Sequence, residues 1–170
     1  MGMDVYGKNP SSDAGEYFRA SIWGWRPLAT MICDLWPNIA ARCKYWQSND
    51  GDGLGARDAK RLANAMRDDR DLIAQYISER NAAIAKLPPR TCELCNGSGV
   101  RADEIGRDAK QPEKIITGPP GHPRLGQKGW CNGCDGRGDN PAWETMYPLD
   151  LETADEFRDF AADSGGFEIH

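Results

Sequence analysis

The chain has 170 residues, 39% of them hydrophobic, with a mean hydropathy of −0.67 and a formal net charge of −5. That length suits one domain, or one domain with a small insert, and so low an apolar content leaves a modest core that a bound metal can staple. No apolar run approaches bilayer-crossing length and no signal peptide is recognisable, so the expectation is a soluble, cytoplasmic protein with no membrane partner.

Charge is distributed unevenly. Residues 1–87 hold 12 basic and 11 acidic side chains, and residues 88–138 hold 8 and 6. Residues 139–170 set nine carboxylates against Arg158 alone. Such an acidic tail repels phosphates or occupies a basic surface.

Taken in chain order, Val5-Tyr6 reads as a short strand followed by a turn through Pro10. Tyr17, Phe18, Ile22, Trp23 and Trp25 read as a strand or an aromatic lid. Pro27 is placed as the first residue of a helix, and Leu28, Met31, Ile32, Leu35 and Ile39 follow the i, i+3, i+4, i+7 pattern of a buried face. Pro37 kinks that helix or opens a second one running to about Trp46. Cys33 and Cys43 fall on these helices as buried free thiols. Ser48-Asn-Asp-Gly-Asp-Gly53 has the look of a calcium loop, but its twelfth position is Ala59 where the bidentate Glu is needed, so it reads as a polar loop. Residues 56–86 are the longest helical stretch, with Leu62, Met66, Ile73, Ile77 and Ile84 on one stripe, widened by Leu72, Tyr76 and Ala83. Arg67-Asp-Asp-Arg-Asp71 interrupts the stripe and Pro88-Pro89 ends it.

Two octapeptides follow: Cys92-Glu-Leu-Cys95-Asn-Gly97-Ser-Gly99 and Cys131-Asn-Gly-Cys134-Asp-Gly136-Arg-Gly138. Both read C-x-x-C-x-G-x-G. Four thiolates in two such pairs close a tetrahedron around one Zn²⁺. The glycines permit the positive φ that lets the chain curl around a metal with N–H groups facing sulfur. Cys92, Cys95, Cys131 and Cys134 are thus the expected ligands of one structural zinc, with no position left open for substrate. Disulfides would need an oxidising compartment, and a thioredoxin-like site would need a single C-x-x-C at a helix start. Residues 96–130 form a long loop pinned at both ends, and Trp130 is placed to cover the sulfurs or to serve as an exposed contact. Thr153-Ala-Asp-Glu156 reads as a capping box, with Phe157, Phe160 and Ala161 on the apolar side and a stop at Ser164-Gly165-Gly166. Phe167-Glu-Ile169 adds a strand that pairs with residues 3–7.

The expected fold is therefore α+β, mainly α: a helical body with an inserted four-cysteine, zinc-binding module. Residues 1–87 supply the body and its N-terminal strand, and 88–140 the zinc module. Residues 141–170 supply an acidic C-terminal helix and strand packing on the body.

The repeated octapeptide resembles the cysteine-rich domain of DnaJ-type cochaperones, which carries four copies and two zinc ions. The two copies here, over 92–138, match position by position and suffice for one zinc. The resemblance implies a β-hairpin-like zinc module of the kind that binds proteins. It does not extend to a J domain: His122-Pro123-Arg124 departs from His-Pro-Asp at its third residue and lies in a Pro/Gly-rich loop. Separately, Asp4-Val-Tyr-Gly-Lys-Asn-Pro10, Tyr17 to Leu28 and Ser164 to Ile169 resemble small uncharacterised proteins of bacteriophages and bacteria. This implies a phage or prophage origin and a bacterial host cytoplasm.

Catalytic material is sparse. The chain has two histidines, His122 and His170, and lacks H-E-x-x-H, a Walker loop and G-x-S-x-G. It also lacks the histidines of an HNH nuclease and the Pro-Cys-x-x-Cys of a zinc deaminase. The expectation is a non-enzymatic zinc protein that binds another protein, acting as a modulator or inhibitor of a host defence or replication factor. Three alternatives stand beside it. One is nucleic-acid binding through Arg90, Arg101, Arg107, Lys110, Lys114, Arg124, Lys128 and Arg137, which is not favoured for want of a basic footprint. The others are an acidic nucleic-acid mimic and a chaperone-like module.

Overall fold

Strand β1 (Gly2–Gly7) runs between β2 (Tyr17–Ser21) and β7 (Phe167–Ile169) in a three-stranded antiparallel sheet. Val5 stands opposite Phe18 on one side and Ile169 on the other. Alternation along β1 sends Met3 and Val5 inward, and Phe18, Ala20, Phe167 and Ile169 join them on the buried face. The pairing anticipated for 167–169 with the first strand is therefore present. The computed structural model describes residues 2–108 and 113–170 and divides into two units, 2–85 with 146–170, and 86–145. No helix among the described residues is long and apolar enough to cross a membrane.

Helix α1 (Ile22–Leu35) begins five residues before Pro27, the expected start. Ser21 is the N-cap and its Oγ accepts the Gly24 N–H at 3.1 Å. Pro27 sits inside the helix, early enough that the carbonyl it leaves unbonded, that of Trp23, belongs to the first turn. Pro37 opens α2 (Pro37–Ala40), which stops well short of Trp46. The Trp46 indole donates to the Ala40 carbonyl at 2.9 Å, and the buried Trp25 indole donates to the Trp46 carbonyl at 2.6 Å. Two buried tryptophans thus replace the missing turns and satisfy their own N–H groups. The polar loop ends in a clamp: the Asp52 carboxylate accepts the N–H groups of Lys44, Tyr45 and Gly53 at 2.6, 2.9 and 2.8 Å.

The long helical stretch breaks at Asp69 into α3 (Ala56–Asp68) and α4 (Arg70–Ile84). Leu62, Met66, Ile73 and Ile77 are buried as the stripe requires, whereas Leu72 is exposed and so does not widen it. Further along, after the second unit, α6 (Leu151–Asp163) starts three residues earlier than the Thr153 capping box implied. Asp150 is the N-cap and accepts the Thr153 N–H at 2.7 Å. Phe157 lies at the centre of an aromatic cluster, 5.2 Å from Phe18, 5.6 Å from Trp25 and 5.6 Å from Phe167, centroid to centroid. Gly165 and Gly166, with φ of 63° and 94°, turn the chain from α6 into β7. The Arg70 guanidinium holds the Asp155 carboxyl below its usual range and ties α4 to α6 at 2.7 Å.

In the second unit, β3 (Arg90–Thr91) pairs antiparallel with β6 (Asp139–Asn140), and β4 (Lys114–Ile115) with β5 (Lys128–Gly129). Helix α5 (Glu104–Asp108) lies between β3 and β4 in sequence. The stretch expected as one long loop therefore contains short regular elements. The apolar side chains buried here, among the described residues, are Cys92, Cys95, Cys131, Cys134, Ile116 and Ala142.

Candidate metal centre

The pairing of β3 with β6 brings the two octapeptides face to face, and the Cys92 N–H extends the ladder by donating to the Gly138 carbonyl at 2.9 Å. The two copies then adopt the same conformation. In the first, Ser98 N–H donates to the Cys95 carbonyl at 2.9 Å; in the second, Arg137 N–H donates to the Cys134 carbonyl at 2.9 Å. Gly99 N–H points at the Cys95 Sγ from 3.3 Å, and Gly138 N–H at the Cys134 Sγ from 3.2 Å. Left-handed φ values recur at matched positions: 47°, 80° and 70° at Asn96, Gly97 and Gly99, and 49°, 79° and 90° at Asp135, Gly136 and Gly138. The fifth residue of each copy had no assigned role in the sequence pattern. Its signal was chemical, since Asn and Asp are the non-glycine residues that best tolerate this region.

The result is a cluster of four buried sulfurs, all within 4.8 Å of one another. Cys92 and Cys131 are 3.8 Å apart, and Cys95 and Cys134 are 3.7 Å apart. A disulfide would bring two sulfurs to about 2.05 Å, so these are free thiols. A tetrahedron with metal–sulfur bonds of about 2.3 Å has edges of about 3.8 Å. The four cysteines are therefore positioned to hold one metal ion, and the donor set is soft and fully supplied by protein.

Electrostatics fit a centre that exchanges protons for a metal. Burial pushes the Cys131 thiol up and the Cys134 thiol up to about 12. Cys92 is buried as well, but the N–H groups of Leu94 and Cys95 bring it below the usual thiol value. Raised thiols favour the protonated form at Cys131 and Cys134, and a metal must displace those protons.

A partner to the thiols that the sequence did not reveal is Arg101. Its side chain is 8% exposed. It makes a two-pronged pair with Asp103 at 2.7 and 2.8 Å and donates to Asn132 Oδ1 at 2.7 Å. Asn132 lies inside the second octapeptide, so Arg101 ties the two metal loops together. Asp103 first, and then the Cys131 and Cys92 thiolates once they form, favour its charged form. His122 does not belong to the cluster. Its Nδ1 accepts the Arg124 N–H at 3.2 Å, which leaves Nε2 to donate to the Asp139 carboxylate at 3.0 Å. Trp130 is half-buried, and its carbonyl accepts the Arg101 N–H at 2.9 Å.

The basic residues weighed for nucleic acid are engaged in several ways. Arg90 pairs with Glu93 at 3.8 Å and lies 5.1 Å from the Trp143 ring centre, and Arg137 pairs with Asp135 at 3.3 Å. Arg124 donates to the Ser98 carbonyl and Arg107 to the Ala102 carbonyl. Lys114 and Lys128 lie on the β4–β5 ribbon, and Lys110 lies outside the described residues.

No family model and no solved structure matches the chain. The chain is similar to a phosphoenolpyruvate synthase of Pseudomonas aeruginosa, 27% identical over 95 residues. The match covers 56% of this chain and 11% of that protein, so the chain spans a small fraction of the curated relative's length. Fold and site together define a mixed α/β protein with small antiparallel sheets and four thiols positioned to bind one metal ion.

Proposed function

We propose that the chain is a non-enzymatic zinc protein whose single structural zinc, held by Cys92, Cys95, Cys131 and Cys134, maintains a small unit for binding another protein. The observation that carries this reading is the pair of sulfur separations, 3.8 and 3.7 Å, which match the edge of a zinc–thiolate tetrahedron. Four protein thiolates leave zinc no open position for water or substrate, which supports a structural role over a catalytic one. Zinc is favoured over other soft metals because a redox-inactive ion suits a closed thiolate site. The resemblance of 92–138 to the protein-binding module of DnaJ-type cochaperones supports a protein as the partner. The resemblance of the termini to phage and bacterial proteins supports a modulator or inhibitor of a host defence or replication factor, acting by occlusion in the host cytoplasm. The synthase similarity covers 11% of that protein and brings no activity with it.

The test is affinity capture from bacterial lysate with the wild type and a Cys92→Ser/Cys131→Ser double variant, with metal content read by mass spectrometry. One zinc per chain and a captured protein lost in a still-folded variant support the proposal. Zinc content near zero, or catalytic turnover retained by a metal-loaded sample, overturns it.

A further inference from the structure

In the unit formed by 2–85 and 146–170, an open groove of about 430 Å³ lies at the N-terminal ends of α1 and α6. Trp23 and Tyr147 stack along it, ring centroids 4.4 Å apart and planes 26° apart. Trp23 is 46% exposed and the neighbouring Met146 61%. The stack is anchored from behind: Arg80 donates to the Tyr147 carbonyl at 2.9 Å, and Asn81 donates to the Leu149 carbonyl at 2.8 Å. A fixed aromatic platform is thus offered to solvent rather than used in the core.

The rim of this platform is acidic. Asp150 and Glu156 line the groove, and neither forms an ion pair among the described residues. The one cation in the lining, Arg19, lies 3.5 Å from the Asp4 carboxylate, which offsets it. Two helix N-termini open here and on their own would favour an anion. Both are already served, since Ser21 accepts from Gly24 and Asp150 accepts from Thr153, with Glu152 adding charge in the first turn of α6.

We propose that this groove receives an arginine side chain from an extended basic segment of a partner protein. The guanidinium lies over the Trp23 ring, whose face is electron-rich, and its N–H fork reaches the Glu156 carboxylate. Arginine fits better than lysine because its planar, weakly hydrated head stacks and donates in the same plane. The excess of carboxylates over 139–170 attracts such a segment from a distance. The inference deepens the protein-binding reading above and rests on it for the existence of a partner.

The full-length protein is titrated calorimetrically with an eight-residue peptide of alternating Arg and Gly. The comparison peptides carry Lys or Glu in place of Arg. The expected result is saturable binding that weakens with salt, is weaker for the Lys peptide and absent for the Glu peptide. Trp23→Leu and Glu156→Gln should each weaken it about tenfold. Glu156 is exposed and unpaired among the described residues, so its variant keeps the fold, which an unchanged Tm verifies. Equal affinity in wild type and both variants, or preference for the Glu peptide, overturns the proposal. Groove binding of the Arg peptide with no protein captured from lysate supports the groove and counts against the protein-binding reading. Capture of a protein with no Arg-peptide binding overturns the groove alone.

Discussion

Gly138 lies against the carbonyl oxygen of Gly97 so closely that a Cβ would overlap it. Gly99 lies in the same way against the carbonyl of Gly136. The last glycine of each octapeptide therefore meets the sixth residue of the other, and the motif's glycines serve the contact between the copies as well as the turn within each.

This pairing sets the first prediction. Gly99→Ala or Gly138→Ala must bear a φ of 70° or 90° and displace backbone that has nowhere to go. Each should cost more than about 2 kcal/mol in the metal-bound unit and weaken metal retention against a chelator. Gly126→Ala is the control. Its φ is 77° but nothing lies within 4 Å of the new methyl, so the cost should be about 1 kcal/mol with metal retention unchanged. Equal losses at Gly126 and Gly99 would remove the inter-loop contact from this account.

Metal removal gives the second. In 86–145 the buried apolar side chains, among the described residues, are the four cysteines, Ile116 and Ala142. Two such residues contribute only about 3 kcal/mol of burial, against about 10 kcal/mol or more for a structural zinc. Chelation should unfold this unit while the other persists on its own core of Trp25, Phe157 and Phe167. Hydrogen exchange is the measurement: amides of 90–101 and 128–140 should lose protection and those of β1 and α1 keep it. Alkylation should agree. With metal bound, half-buried Cys33 reacts first, and after chelation the four ligands join it while Cys43 stays protected by burial.

The centre was legible in the sequence because each half-site is local. Eight consecutive residues fix two thiols, a turn and the glycines it needs, and two copies complete the set. Helix starts were less legible because competing signals sit side by side. Pro27 and Thr153 each carry a genuine start pattern, yet Ser21 and Asp150 lie upstream with side chains that reach the N–H groups of Gly24 and Thr153. The charged run 67–71 marked an interruption of the stripe, compatible with a break or an exposed middle turn, and the structure breaks the helix at Asp69; the exposure of Leu72 was not readable, since its burial depends on which helix covers it. Arg101–Asn132 and Trp23–Tyr147 were beyond reach. Each joins residues far apart in sequence, and neither residue type betrays its partner.

Arg101 carries the third prediction. A metal held by four thiolates leaves a formal charge of about −2 on the cluster, and Arg101 is a shielded cation near it that also bridges to Asn132. Arg101→Ala should lower metal affinity about 10- to 100-fold, the range for lost outer-shell partners. Arg101→Lys should recover little, because one ammonium cannot hold Asp103 by two prongs and reach Asn132 as well. Chelator competition reads both, and full recovery by lysine would reduce Arg101 to a point charge.

Cys43 carries the fourth, which concerns the body and not the metal. It is 3% exposed, and burial, reinforced by the Asp52 carboxylate, pushes its thiol from 9.0 up to about 12. Below pH 9 the folded and unfolded chains both hold the proton, and the contribution to stability is whole. As pH rises from about 9 towards 12 the unfolded thiol ionises first, so stability falls until the folded thiol has titrated too. The half-buried Tyr76 hydroxyl, raised by burial and by donating to the Asp34 carboxylate, is also pushed up to about 12 and titrates in the same window. The informative quantity is therefore the difference between wild type and Cys43→Ala in urea unfolding from about pH 8 to about pH 10.5. The variant should be less stable at the lower pH, by about 1 kcal/mol for the small cavity, and should lose stability more slowly as pH rises. Parallel pH profiles would mean that the folded thiol ionises as readily as the unfolded one, and that the Asp52 clamp leaves Cys43 open to water.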